Sequence, residues 1–203
     1  MSVFSFKTIK KPISEILLKE KGSKFIGFAS PISSEEDFKN YLAEIKKTHP
    51  KATHHCYAFR IGIDGENHRA NDDGEPNGSA GLPIFNQILA KELTNICVVV
   101  VRYYGGTKLG VSGLVKAYKN CAQETLDLAE FITKDLTILI EINFKFSVQN
   151  SIFSLINKYE GKILEFITAG NCTIKAEIKS VDFEKFIENL AEIHEVNFEI
   201  LED

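Results

Sequence analysis

The amino-acid sequence predicts an α+β protein of two domains. Three observations lead there. Apolar residues switch between strict alternation and helical spacing along the whole chain, so strands and helices are interleaved. A β-branched run from Ile96 to Val101 stops at Arg102 and marks a central, buried strand. Beyond a break near Thr133–Thr137 the elements follow a β-α-β-β-α-β order. The 203 residues allow one or two domains and are long enough to bury a real core. The expected division is 1–133 and 134–203.

In the first domain, KFIGFAS reads as a strand. Ser33-Ser34-Glu35-Glu36 opens a helix, with Ser33 and Glu36 at capping-box spacing. Its buried stripe is Phe38, Tyr41, Leu42 and Ile45. THHCYAFRIGI and ENHRAN flank Asp64-Gly65, a two-residue hairpin signal. Such a turn faces Ile63 to Glu66 and Arg60 to Arg69. On that strand His55, Tyr57, Phe59 and Ile61 share one face, and His54, Cys56, Ala58 and Arg60 the other. Leu82-Pro83 starts a second helix, with proline at a tolerated early position. ICVVVVRYY is the central strand, and GLVKAYKNCAQETLDLAE a third helix with Leu114, Tyr118, Cys121, Thr125 and Ala129 inward.

In the second domain, TILIEINFKF places Ile138, Ile140, Ile142, Phe144 and Phe146 on one face of a half-buried strand. A helix carries Ile152, Ile156 and Tyr159, and Gly161 stops it. KILEFIT, the turn Ala169-Gly170-Asn171 and CTIKAEIK form a hairpin. Ser180 is the expected N-cap of a helix burying Phe183, Phe186, Ile187 and Leu190. Val196 to Leu201 is the last strand. This is the ferredoxin-like, split-βαβ plan.

Composition excludes several classes. With 44% hydrophobic and 26% charged residues the chain is not mostly disordered. No apolar stretch approaches the ~18 residues of a membrane helix. MSVFSFKTIKK lacks the pattern of a secretory signal. Cys56, Cys97, Cys121 and Cys172 are scattered with no CxxC pair, which points to reduced thiols and a cytoplasmic location. The net charge of −4 is uneven: residues 137–203 carry 6 basic and 12 acidic side chains, residues 1–136 carry 18 and 16. Such asymmetry marks either a nucleic-acid-facing domain beside an acidic one or ordinary surface drift.

The richest segment is VVVVRYYGGTKLGVSGLVKAY. A buried strand ends in Arg102-Tyr103-Tyr104, then come Gly105, Gly106, Gly110 and Gly113, then a helix. A glycine loop feeding a helix N-terminus aims free N–H groups at an anion, and the helix dipole adds to the attraction. From Leu93 to Gln123 there is no Asp or Glu, while Arg102, Lys108, Lys116 and Lys119 contribute four positive charges. The spacing matches neither a P-loop nor a dinucleotide fingerprint. Arg60 opposite Arg69 is a like-charge pair that either a bound phosphate or simple splaying into water would relieve.

NDDGEPNGSAGLP offers Gly78-Ser79-Ala80-Gly81 as a second anion cradle. Its Asp72, Asp73 and Glu75, with His54, also suit Mg²⁺ binding or acid–base work. Asp-Gly, Glu-Pro and Asn-Gly are equally turn dipeptides. Cys56 beside two histidines reads as a half-buried thiol, because strand neighbours diverge.

SKFIGF, HHCYAFR, DDGEPNGSAG and VVVVRYYGGTKLGVSGLVKAY occur in this order and together closely resemble the IMPACT family, including its bacterial YigZ-like members. The likeness covers roughly residues 15–125, and the C-terminal half resembles the small domain that follows in bacterial members. Asn77, Ser79 and Val111-Ser112 depart from the family's commonest residues. The resemblance implies a ribosomal-protein-S5-domain-2-like N-terminal fold and an arrangement similar to the last two domains of the translocation elongation factor. It also implies kinship with eukaryotic regulators of translation that act through protein partners. The expectation is a non-enzymatic, cytoplasmic protein without a cofactor. It binds RNA or ribosomal phosphates through Arg60, Arg69, Arg102, Lys108, Lys116 and Lys119, assisted by backbone at Gly105, Gly106, Gly78, Ser79 and Gly81. The acidic C-terminal domain is expected to meet protein, or to orient the first domain, rather than to touch nucleic acid. Two alternatives stand beside this: a metal-assisted hydrolase using Asp72, Asp73, Glu75 and His54, and a protein-interaction module in translational stress control.

Overall fold

In the computed structural model, which describes residues 4–63 and 65–201, the chain begins with β1 (Ser5–Ile9), β2 (Ile13–Glu20) and β3 (Ser23–Pro31), followed by α1 (Glu35–Thr48). Next come β4 (His54–Ile61), β5 (Asn67–Asn71), α2 (Gly81–Ala90), β6 (Ile96–Tyr103), α3 (Gly110–Asp127) and β7 (Phe131–Asp135). The remainder is β8 (Thr137–Phe144), a 3₁₀ turn (Phe146–Val148), α4 (Gln149–Lys158), β9 (Lys162–Ala169), β10 (Asn171–Lys179), α5 (Phe183–Ala191) and β11 (Val196–Leu201). The chain separates into two compact units, Phe6–Lys134 and the residues from Asp135 onward with those up to Ser5. This is an α+β protein.

The first unit is a five-stranded sheet in the order β2-β3-β6-β4-β5, with β6 at its centre. β3 and β4 both pair antiparallel with β6. The β-branched run of β6 is buried on both faces. Val98 and Val100 join α2 and α3 in one cluster around Phe25, Ile84, Ile88 and Tyr118. Val99 and Val101 pack with Ile45 on the face carrying α1, where Phe38 and Ile32 join Phe59 and Ile61. Burial of such side chains contributes about 1.5–3 kcal/mol each. The alternation on β4 holds: Phe59 and Ile61 face α1, and Cys56 and Ala58 face the opposite helices. β1 and β7 form a separate two-stranded sheet.

The second unit is a four-stranded antiparallel sheet in the order β11-β8-β10-β9. Counted within the unit this is 4-1-3-2, the ferredoxin-like arrangement. Ile140, Ile142, Phe144, Ile174 and Ile178 pack with Ile152 and Ile156 of α4 and Phe186 and Leu190 of α5. On the other side Lys175 lies 3.8 Å from Glu141 and 3.5 Å from Glu165, so this face is charged.

Several boundaries differ from the sequence expectation. The N-cap of α1 is Ser34, and its box closes on Asp37 rather than Glu36. Asp37 accepts from both the backbone and the hydroxyl of Ser33 and from the Ser34 backbone, which holds its carboxyl below the usual range. α5 begins after Asp182, not Ser180. Phe146 leaves the β8 face for the 3₁₀ turn, where it is exposed. Ala129 lies beyond the end of α3 but still packs on the core.

The β4–β5 connection needs a correction that touches the site. Ile61 pairs with Asn67, so five residues separate the strands instead of two. Gly62 is drawn out of the ladder: its N–H donates to Asn95 Oδ1 at 2.9 Å, and its carbonyl accepts from Thr94 Oγ1 at 2.5 Å. The register shifts by one residue. Arg60 faces His68 and Phe59 faces Arg69, so the expected Arg60–Arg69 opposition does not arise. Asp64, the other half of the expected turn, lies outside the described residues.

Candidate functional site

The site gathers where β6 ends and α3 begins. Arg102 is the seventh residue of β6 and points into the same layer as Val98 and Val100. A lone cation there is costly unless paired. Glu75, from the turn that follows β5, supplies the partner: Arg102 Nη1 donates to Glu75 Oε1 at 2.6 Å, with the side chains 7% and 4% exposed. Tyr118 of α3 donates its hydroxyl to the same oxygen at 2.7 Å. Cys56 Sγ donates to Tyr118 Oη at 3.3 Å. Burial pushes the Tyr118 phenol and the Cys56 thiol well above their ordinary values, so both stay protonated. Arg102 is therefore a buried structural cation, not the exposed phosphate ligand the sequence suggested. The acid-free stretch from Leu93 to Gln123 concealed this, because the counter-ion comes from outside it.

Asp72 overturns a second expectation. Its carboxylate accepts from the backbone N–H groups of Gly78, Ala80 and Gly81, each at 2.8 Å. The cradle at Gly78-Ser79-Ala80-Gly81 exists, but the anion in it is the chain's own Asp72. Asp73 Oδ2 accepts from the His55 backbone at 2.6 Å. His54 Nδ1 meets the Asp73 carbonyl at 2.7 Å; a carbonyl only accepts, so this nitrogen carries the proton. The carboxylates of the proposed hydrolase set are thus each engaged within the fold. Among the described residues, no three His, Cys, Asp or Glu side chains converge as metal ligands.

The other expected residues divide. Arg60 Nη1 donates to the Leu93 carbonyl at 3.1 Å and the guanidinium lies against Gly65. Arg69, Lys108, Lys116 and Lys119 are exposed. Lys119 and Gly78 line one shallow cleft of about 270 Å³. Gly105 and Gly106 are exposed, as expected of a loop that presents its backbone. Gly105 N donates to Ser23 Oγ at 3.2 Å, and the loop comes so close to Gly22 that a side chain at Gly105 would collide with the Gly22 backbone.

Two clefts open beside this loop. One, of about 420 Å³, is lined by Arg102, Lys108, Leu109, Gly110, Val111 and Tyr104, among others. It contains the start of α3, whose first turn has no acidic residue and no side-chain cap. The second, of about 430 Å³, is lined by Gly22, Lys24, Ile26, His49, Tyr103 and Tyr104. The segments that build the two clefts, residues 19–26, 46–54, 75–76 and 102–114, carry eight Lys or Arg against Glu20 and the buried Glu75. Lys24, the last-turn lysines of α1 (Lys46 and Lys47) and Lys51 are not among the expected residues, because they are distant in the chain. The signal was present as KEKGSK and KKTHPK, two basic runs with no partner until the sheet joins them.

The family profile described as the Impact N-terminal domain matches residues 21–126. An IMPACT family member of Haemophilus influenzae is 35% identical over 185 residues, covering 89% of this chain and 90% of its own. The IMPACT family member YigZ of Escherichia coli is 30% identical over 185 residues with the same coverage. The crystal structure of a hypothetical protein superposes with a TM-score of 0.76 at 27% identity, over 100% of both chains.

Proposed function

Because the chain belongs to the IMPACT family, we propose that it is a non-enzymatic, translation-associated regulator whose N-terminal unit binds the phosphate backbone of RNA, free or ribosomal. The observation that carries this reading is the cleft at the start of α3. Uncapped backbone N–H groups and Lys108 line it beside the exposed Gly105–Gly106 loop, and the Glu75 carboxylate in its lining is already held by Arg102. Helix N-termini bind anions through such groups. The buried Glu75–Arg102 pair adds no net charge to the cleft floor, so Lys108 and the helix dipole set its sign. Lys116 and Lys119 on α3, with Arg69, extend the positive surface as point charges along a polymer. The second unit, with 12 acidic against 6 basic side chains from residue 137, repels a polyanion and suits a protein partner. The protein works in the cytoplasm.

The test is a fluorescence-anisotropy titration with a labelled RNA strand across a salt series. The expected affinity falls on a log–log plot with a slope of about 0.7 per contacted phosphate. Lys108→Ala lowers both affinity and slope. No binding at low salt, or binding indifferent to salt, overturns the reading.

A further inference from the structure

The two clefts share one side chain, Tyr104. It is 48% exposed, whereas its neighbour Tyr103 is half-buried and bonded to His49 Nδ1 at 3.0 Å. Exposure of an aromatic ring is common; what is unusual is how firmly this ring is held. Its hydroxyl donates to the Gly106 carbonyl at 2.7 Å, and its backbone N–H donates to Thr53 Oγ1 at 3.3 Å. The Arg102 guanidinium sits 5.6 Å from the ring centre. The ring is thus fixed at both ends, backed by a cation, and stands as a partition between two cavities.

We propose that Tyr104 is a stacking platform for an unpaired base, and that the ligand of this surface is single-stranded RNA. The inference rests on the RNA-binding reading and names the form of RNA. A flat, pre-positioned ring receives a base at little entropic cost. Lys24 in one cleft and Lys108 in the other take the phosphates on either side of the stacked nucleotide. A duplex cannot use the platform, because its base faces are covered by their neighbours. An RNA surface made only of lysines would not discriminate between the two forms in this way.

The experiment compares fluorescein-labelled oligouridylate with an RNA duplex of equal length, against the full chain and its Tyr104→Ala, Tyr104→Phe and Lys108→Ala variants. The single strand should bind more tightly. Tyr104→Ala should weaken it about fivefold or more, with duplex affinity and the salt slope unchanged. Tyr104→Phe, which keeps the ring, should retain most of the affinity. Wild-type affinity in Tyr104→Ala, or an equal loss for strand and duplex, overturns the platform. If Lys108→Ala still weakens binding in that case, phosphate binding survives without stacking. If neither probe binds the wild-type chain at low salt, both readings fail.

Discussion

Arg102 and Glu75 form a buried ion pair at 2.6 Å, and Tyr118 closes it by donating to the same carboxylate oxygen. The pair ties the central strand to the DDGEP turn and to α3. It fixes the floor of the cleft from which Lys108 projects.

Breaking one side of that pair leaves a charge in a dry layer. Glu75→Ala should cost about 3–5 kcal/mol of stability, read as a shift in the urea midpoint. The double change Glu75→Leu with Arg102→Met should recover much of the loss, since no charge is then stranded. A double variant as unstable as Glu75→Ala would show that the pair's attraction, and not the unpaired charge, dominates.

Asp72 completes the N-terminus of α2 from a distance of several residues. Removing its carboxylate in Asp72→Ala strands three backbone donors, which should cost about 2–4 kcal/mol. Ser79→Ala is the control: Ser79 Oγ is buried without a partner, so its loss should change stability little. Equal effects from the two substitutions would contradict the assigned role.

The adjacent glycines of the loop should respond differently. Gly105→Ala drives a methyl into the Gly22 backbone, and the strands must part. Gly106 has a φ of +87° with open space around it, so Gly106→Ala carries only backbone strain of about 1–2 kcal/mol. Thermal melts of the two variants should separate clearly, with Gly105→Ala the lower. Superimposable melts would mean that the Gly22–Gly105 approach is not maintained in solution.

His55 gives the protein an acid-side weakness. Burial holds its imidazole below the ordinary value of 6.5, against a smaller opposing pull from Asp73; Lys46 adds to the depression. As pH falls through 6.5 the unfolded chain takes up a proton that the folded chain resists. The stability is therefore complete above that pH and declines below it, by at most about 1.4 kcal/mol per pH unit for one group. His55→Phe should flatten this part of the profile between pH 7 and pH 5, roughly the span of one histidine titration. An unchanged slope in denaturation curves across that range would rule His55 out.

The sequence alone determined most of the elements, because periodicity and turn chemistry are local, but not β1, β2 and β7. The β6 run, the α3 stripe as far as Thr125 and the βαββαβ order stand as expected. What it did not determine is which charges remain available. Arg102 looked free because no acid lies near it in the chain, and Gly78–Gly81 looked like an empty cradle for the same reason. Glu75 and Asp72 reach them only after the turn beyond β5 has folded back over the sheet. Charge pairing is decided by distance in space and by burial, and neither is encoded at neighbouring positions. The lysines around the second cleft follow the same logic: separate basic runs become one surface only when the β2–β3 turn and the end of α1 arrive beside Tyr104.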